Sequence, residues 1–268
     1  MSAKPVIDIL SLFPDTVRSV LDSSILRRAQ MKGEVALEST PLRNFAFDQY
    51  NSVDDSPFGG KQGMLFSPEV VERAFVDQLT KVDNDRSRLK IIYPSPRGVR
   101  LEQPVMESLL QWLIPSAKEA PARRLCVLCG RYEGVDERAL NRWVDLEISV
   151  GDFIVTGGEL PALLLVDGIV RLIPGVLGDA RSSRDESFSN GLLEYPQYTK
   201  PREFMGQAVP AELLSGHHAK IEEWKLRQSL LLTYALRSDL IRSHSGRELP
   251  HWATELLGLL KNRLETRA

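Results

Sequence analysis

The sequence predicts an α/β fold with a parallel sheet. Short apolar runs that resemble buried strands recur along the first part of the chain, and helical stretches separate them. Loops rich in glycine and proline follow three of these runs. The chain has 268 residues, of which 43% are hydrophobic and 26% charged, which suffices for one large and one small domain.

The first predicted element is a strand over 6–12, VIDILSL. Pro14 then opens a helix that we expect to run up to Gly33, because proline is favoured in the first helical turn and glycine just past the end. A second helix is predicted from QPVMESLLQWLI. Further buried strands are predicted over three ranges, 89–93, 124–129 and 145–150.

The C-terminal part of the chain differs in pattern. The stretch 178–200 is polar with little periodicity, which predicts an interdomain linker between a first domain over 1–177 and a small helical domain over 201–268. In the helical domain Ile221, Trp224 and Leu231 share one helical face, which we expect to pack into a core.

Charge and cysteine content narrow the function classes. The formal net charge of −2 lacks the basic excess typical of a nucleic-acid partner, so any RNA surface must be local. Cys126 and Cys129 lie in a predicted strand at an odd separation, so their side chains should point to opposite faces. We therefore predict structural thiols in a reducing cytoplasm and no metal site.

Three loops carry the chemistry: PSPRG after Tyr93, GRYEGVDER after Cys129, and GDFIVTGGELPA after Val150. Ligands of open α/β sheets bind beyond the carboxyl ends of strands, so these loops could wall one pocket, although each glycine taken alone could simply make a turn. They contain neither a dinucleotide fingerprint nor a phosphate-binding loop. Nucleophile motifs are also absent, so a reaction here would depend on positioning, acid–base groups and charge.

Arg171 is a charged residue late in the apolar stretch LPALLLVDGIVRLIPGVLG. A lone charge there is costly unless it is paired or functional, and both interpretations are open. The same charge, together with Asp167, makes this stretch too polar for a membrane span.

The three loops resemble the bacterial tRNA (guanine-N1)-methyltransferase family of the knotted SPOUT methyltransferases. Further agreement comes from IDILSLFP, SSILRRAQ, VDDSPFGG, GLLEYPQYTKP and LLSGHHAKI, all in the family's order, so the resemblance covers nearly the whole chain. It implies a SPOUT-type parallel sheet with a C-terminal trefoil knot in 1–177, then the linker, then an all-helical tRNA-binding domain. It also implies a cytoplasmic homodimer with a composite active site.

By resemblance the enzyme uses S-adenosylmethionine to methylate N1 of guanosine 37 of tRNA, 3′ of the anticodon, which supports reading-frame maintenance. The donor-binding residues implied are Tyr93, Ser95, Pro96, Gly130, Tyr132, Glu133, Val150, Gly151, Asp152, Phe153, Ile154, Val155, Gly157, Gly158 and Pro161.

The resemblance also assigns two catalytic roles. Glu186 of ESF stands where the family has the aspartate base of D-S-F, and Asp185 is a rival candidate. Removal of the N1 proton places negative charge on O6, which suits a guanidinium such as Arg171. Towards tRNA, Glu194 matches an acidic position near the target base and His218 an element of the helical domain. A solvated linker charge and helix capping are the plain alternatives for these two.

Departures from the family pattern leave other readings open. Besides Glu186, Lys61 and Gln62 replace residues that are usually glycine and proline. A homologue that binds RNA without catalysis is one alternative, and a knotted enzyme acting on a ribose hydroxyl or another RNA is a second. The family is associated with magnesium, for which no acidic cluster here indicates a site.

Overall fold

A computed structural model describes the chain over 4–60, 62–115, 121–177, 186–246 and 249–266. The chain divides into two compact units, Met1–Gly178 and Asp179–Ala268. Lys61 and Asp185 lie outside the described residues. No helix within the described ranges is long and apolar enough to cross a membrane.

The described strands follow in chain order: β1 (Val6–Ser11), β2 (Ala36–Pro41), β3 (Asp54–Asp55), β4 (Leu65–Phe66), β5 (Leu89–Arg100), β6 (Arg124–Leu128), β7 (Leu146–Ser149), β8 (Glu203–Phe204) and β9 (Gln207–Ala208). The described helices are α1 (Pro14–Leu21), α2 (Ser24–Met31), α3 (Pro68–Thr80), α4 (Gln103–Leu113), α5 (Glu137–Trp143), α6 (Glu159–Val170), α7 (Ala211–Leu214), α8 (His218–Leu236), α9 (Ser238–Ser243) and α10 (His251–Glu265).

The first unit is built on a five-stranded sheet in the order β2-β1-β6-β5-β7. All neighbouring strands pair in parallel, which confirms the predicted α/β fold with a parallel sheet. Helices cover both faces, with α1, α2, α4 and α6 on one core and α3 and α5 on the other. Strand β6 alternates between these cores, so Cys126 packs in one and Cys129 in the other, as predicted.

The observed elements depart from the predicted ones in several places, and the domain predicted to be all-helical contains the two-stranded sheet of β8 and β9. Strand β2 was not predicted, because it lies at the sheet edge and only Leu37 of its residues is buried. The predicted first helix is two helices, broken between Leu21 and Ser24. Strand β5 continues to Arg100, with a register shift between Pro94 and Val99 against β7.

A buried polar cluster lies within the sheet around Asp8 of β1. The Asp8 carboxylate is fully buried and accepts hydrogen bonds from Thr40 Oγ1 at 2.8 Å and Gln78 Nε2 at 2.8 Å. Lys81 Nζ and Arg124 Nη1 lie 3.7 and 3.4 Å from it. Burial raises the pKa of Asp8, and these partners oppose that effect only in part.

The second unit has a helical core of its own. It joins Leu230 of α8, Ile241 of α9 and Leu257 of α10, and it includes Leu192 from the preceding irregular segment. The predicted packing of Ile221, Trp224 and Leu231 into this core is wrong, because the core contains none of the three and Leu231 is 42% exposed. Helix α8 is apolar on two sides, and its core-facing side carries Leu230 rather than Leu231.

Candidate active site

A cavity of about 390 Å³ lies at the carboxyl ends of β6 and β7, beside the irregular part of β5 between Pro94 and Val99. This is the edge where ligands bind in open parallel sheets. The PSPRG segment of β5, the loop after β6 and the loop between β7 and α6 line it. The prediction that the three loops wall one pocket is confirmed.

All but one of the residues predicted to bind the donor line this cavity. Those that do are Tyr93, Ser95, Pro96, Gly130, Tyr132, Glu133, Val150, Gly151, Phe153, Ile154, Val155, Gly157, Gly158 and Pro161. Asp152 is the exception, because its side chain is 90% exposed and lies 3.4 Å from Arg100 Nη2. Further lining residues, which the sequence reasoning missed, are Pro94, Arg131, Gly134, Ile148, Ser149 and Thr156.

The Tyr93 ring packs beneath the loop that follows β6. A Cβ atom at Gly130 would lie 2.7 Å from the Tyr93 hydroxyl, so only glycine lets this loop cross the ring. Burial raises the pKa of Tyr93 to about 12, which keeps the phenol neutral. Tyr93 therefore forms an uncharged, mostly apolar floor for part of the cavity.

The first wall, PSPRG, is held from outside by an ion pair. Arg97 Nη2 lies 2.7 Å from Glu147 Oε1, and Arg97 Nε donates to Glu147 Oε2 at 2.8 Å. The hydrogen bonds from Arg97 lower the pKa of Glu147. Because Arg97 belongs to β5 and Glu147 to β7, this pair links the PSPRG segment of β5 to the neighbouring strand.

The other two walls meet at Gly158. Its N–H donates to the Gly130 carbonyl at 2.8 Å, and a Cβ atom there would lie 2.8 Å from both Cys129 Cα and Gly130 N. The backbone of the segment before α6 therefore runs in direct contact with the loop after β6. This close approach shapes the cavity between them.

A charged network lies behind these two walls. Arg131 Nη2 is 3.0 Å from Glu159 Oε2, and Ser11 Oγ donates to Glu159 Oε1 at 2.8 Å. Sequence reasoning missed both charged residues. The available signal was Glu159 itself, a carboxylate that opens a mostly apolar helix, but an acid in a first helical turn also has a plain explanation in the helix dipole.

The predicted catalytic arginine does not line the cavity. Arg171 follows the last residue of α6, a helix of 12 residues whose first turn touches the cavity, so it lies about 18 Å along the helix axis from that end. Its side chain is half-buried. The cavity and Arg171 therefore belong to opposite ends of one helix.

The other predicted residues lie in the second unit. The Glu194 N–H donates to Ser187 Oγ at 2.9 Å, so the chain folds back and brings the segments of Glu186 and Glu194 together. Gln197 Nε2 donates to the Glu194 carboxylate. His218 is exposed at the start of α8, and the preceding His217, at the cap position, makes no side-chain capping bond.

Comparison of the sequence with known proteins shows which family the chain belongs to. Residues 6–243 match the family model described as tRNA (Guanine-1)-methyltransferase TrmD. The chain belongs to this family. It is 44% identical over 260 residues to the tRNA (guanine-N(1)-)-methyltransferase of Desulforudis audaxviator, covering 97% of this chain and 98% of the relative.

Two further relatives of the same name show similar agreement. The Bacillus subtilis protein is 45% identical over 238 residues, covering 89% of this chain and 93% of its own length. The Staphylococcus haemolyticus protein is 46% identical over 235 residues, covering 88% and 90%. The family match thus extends over both units of the chain.

Proposed function

We propose that this protein transfers a methyl group from S-adenosylmethionine to N1 of guanosine 37 of tRNA, 3′ of the anticodon, and so supports reading-frame maintenance. The observation that carries the proposal is the single cavity at the strand ends in a chain of this family. The fifteen-residue donor set implied by resemblance converges there, with the exception of Asp152.

The cavity fits a nucleoside-based donor. Its volume of about 390 Å³ falls within the range of small-molecule sites. Ile148, Val150 and Pro161 offer apolar contact for an adenine ring, while the glycine loops expose backbone N–H and C=O groups to its edges. When bound there, S-adenosylmethionine supplies an electrophilic methyl group on a sulfonium.

The chain's own side chains would handle the proton and the charge. Glu186 takes the N1 proton of guanine, which frees the N1 electron pair for attack on the methyl carbon. The guanidinium of Arg171 donates to O6, where negative charge develops. Glu194, which the fold brings near the segment of Glu186, accepts from the exocyclic amine and so favours guanine over adenine.

The distance between the cavity and Arg171 supports a composite site in a homodimer. On α6, Leu160 and Leu164 are 60% and 57% exposed, and they share a helical face with Asp167 and Arg171. Two large apolar side chains one turn apart favour coverage by another chain. If a second copy covers this face, Arg171 of one copy can serve the cavity of the other.

The domain roles follow from the resemblance. We assign 1–177 to a knotted methyltransferase domain that binds S-adenosylmethionine, 178–200 to the linker and 201–268 to tRNA binding. His218 is assigned to the RNA-facing side of the last domain. The trefoil knot in this domain is implied by the resemblance. Localisation to the cytoplasm fits the two buried free thiols.

Magnesium stays a prediction of the resemblance without an assigned site. Within the described part of the chain, no group of three or more His, Cys, Asp or Glu side chains is placed to hold a metal ion.

The experiment uses labelled S-adenosylmethionine and two tRNA transcripts that differ only in carrying guanosine or adenosine at position 37. We expect label at N1 of guanosine 37 and none in the adenosine transcript. Label on a ribose or at another position would contradict the proposed substrate. Binding of the tRNA without transfer would favour the non-catalytic homologue.

The assignment of the base has its own matched pair of variants. Glu186→Gln should lower kcat by about 100-fold or more, because a general base contributes at least that factor. Glu186→Asp restores the carboxylate in the shorter form and should retain most activity. Equal activity of Glu186→Gln and the wild type would instead direct attention to Asp185.

A further inference from the structure

A buried ion pair behind the cavity wall has no role in the proposed proton transfer. Arg131 Nη2 and Glu159 Oε2 are 3.0 Å apart, and the two side chains are only 25% and 4% exposed. Such a pair needs further polar partners to offset the loss of water. Ser11 Oγ supplies one at 2.8 Å, and the Thr156 carbonyl accepts from Arg131 Nη1 at 3.1 Å.

These contacts join three separate chain segments. Ser11 ends β1, Arg131 lies in the loop after β6, and Glu159 opens α6. The guanidinium carbon of Arg131 also lies 4.5 Å from the centre of the Phe13 ring. Since Arg131 and Thr156 themselves line the cavity, the network fixes two of its walls to the sheet.

Gly157 shows how directly the pair supports the cavity surface. A Cβ atom at Gly157 would lie 2.3 Å from Arg131 Nε and 2.6 Å from Glu159 Oε2. The wall residue therefore rests on the two charged groups with no side chain between them. A displacement of either charged group would therefore also displace the backbone of Gly157, which lines the cavity.

Two considerations indicate that the Arg131–Glu159 pair serves the shape of the cavity rather than the net stability of the fold. A buried ion pair contributes little stability compared with apolar residues of the same size, because desolvation opposes the attraction. Its position at the strand ends, against both loops, coincides with the binding cavity. We propose that Arg131 and Glu159 are positioning residues that hold the donor-binding loops in their binding shape, an inference that rests on the proposed function.

The test measures donor affinity apart from methyl transfer. Glu159→Gln keeps the side-chain size and an acceptor for Ser11 but removes the charge. Arg131→Lys keeps a cation but lacks the forked group that contacts Thr156 and Glu159 at once. Calorimetry with S-adenosylmethionine alone should show binding weakened about tenfold or more in each variant. At saturating donor, kcat should stay within about twofold, so the loss appears in KM for the donor.

The double variant Arg131→Gln/Glu159→Gln tests whether the two residues act as one unit. Its loss of donor affinity should be smaller than the product of the losses in Arg131→Gln and Glu159→Gln, because each of these single variants leaves one charge buried and unpaired. The matched control is Glu223→Gln, which removes the same charge from the exposed pair with Arg227 on α8. That variant should bind the donor as the wild type does.

Other results would overturn the inference. Wild-type donor affinity in Glu159→Gln and Arg131→Lys, together with lower melting temperatures, would show a purely structural pair. A large loss of kcat at unchanged donor affinity would also contradict a positioning role. If the wild-type protein itself binds no S-adenosylmethionine, the proposed function fails first, which separates the two failures.

Discussion

Replacing Gly158 with alanine tests whether the close approach of two loops forms the donor site. The backbone at Gly158, with φ −76° and ψ −8°, is one that alanine adopts freely, so the effect is steric alone. The added Cβ would lie 2.8 Å from Cys129 Cα, 2.8 Å from Gly130 N and 3.1 Å from Cys129 C. These are backbone atoms, which cannot rotate away as a side chain does.

Overpacking of this kind costs about 2–3 kcal/mol. If the loops relax apart in the free protein, donor binding has to restore the close approach against that cost. The affinity for S-adenosylmethionine would then fall roughly 30- to 150-fold. Calorimetry on the purified variant measures the loss directly, and urea unfolding shows how much of the cost remains in the free protein.

The matched control is Gly168→Ala, in the same helix. Its Cβ would lie 2.3 Å from Met106 Sδ and 2.7 Å from Met106 Cε, the far end of a flexible side chain that can move. The gain in helix propensity, about 1 kcal/mol, offsets part of the cost. We expect nearly wild-type donor affinity. Wild-type affinity in Gly158→Ala would refute the steric argument, and so would a larger loss in Gly168→Ala.

Two further predictions address assembly and stability. Leu164→Glu places a charge on the exposed face of α6 and should give monomers without activity in sedimentation and transfer assays, whereas Leu259→Glu, at a side chain 63% exposed on α10, should change neither. An active Leu164→Glu dimer would contradict the assigned face. Burial raises the pKa of Asp8, so the folded protein keeps this proton to higher pH than the unfolded chain. Wild-type stability in urea should therefore fall as pH rises from the ordinary aspartate range through the raised pKa, and Asp8→Asn should lack this slope. Parallel pH profiles would contradict the role of Asp8.

The central strands could be predicted because burial on both faces leaves a continuous apolar run in the sequence. Strand β2 carries no such run, since an edge strand needs only one buried contact such as Leu37. Helix α8 shows the opposite difficulty. It has two apolar sides. One packs in the helical core through Leu230, and on the other Trp224 contacts Tyr195 and Tyr198. Periodicity alone does not show which of the two sides faces the core.

The cavity could be predicted because each of its walls is one short continuous segment that comes directly after a buried apolar run. The network of Ser11, Arg131 and Glu159 could not, because its members come from segments that only the folded sheet brings together. Ser11 and Glu159 are separated by 148 positions. Each residue taken alone has a plain explanation as a strand end, a loop charge or a helix-start acid.

Helix α6 connects the two halves of the proposed mechanism. Its first turn fixes the donor cavity through Gly158 and Glu159, and its far end carries Arg171, about 18 Å away along 12 residues. A rigid helix holds its two ends this far apart, so the cavity and the backbone of Arg171 in one copy stay separated by the length of α6. The exposed leucines on the face between these ends offer a surface for a second copy. If Arg171 acts on the substrate as proposed, the length of α6 therefore favours a site that two chains share.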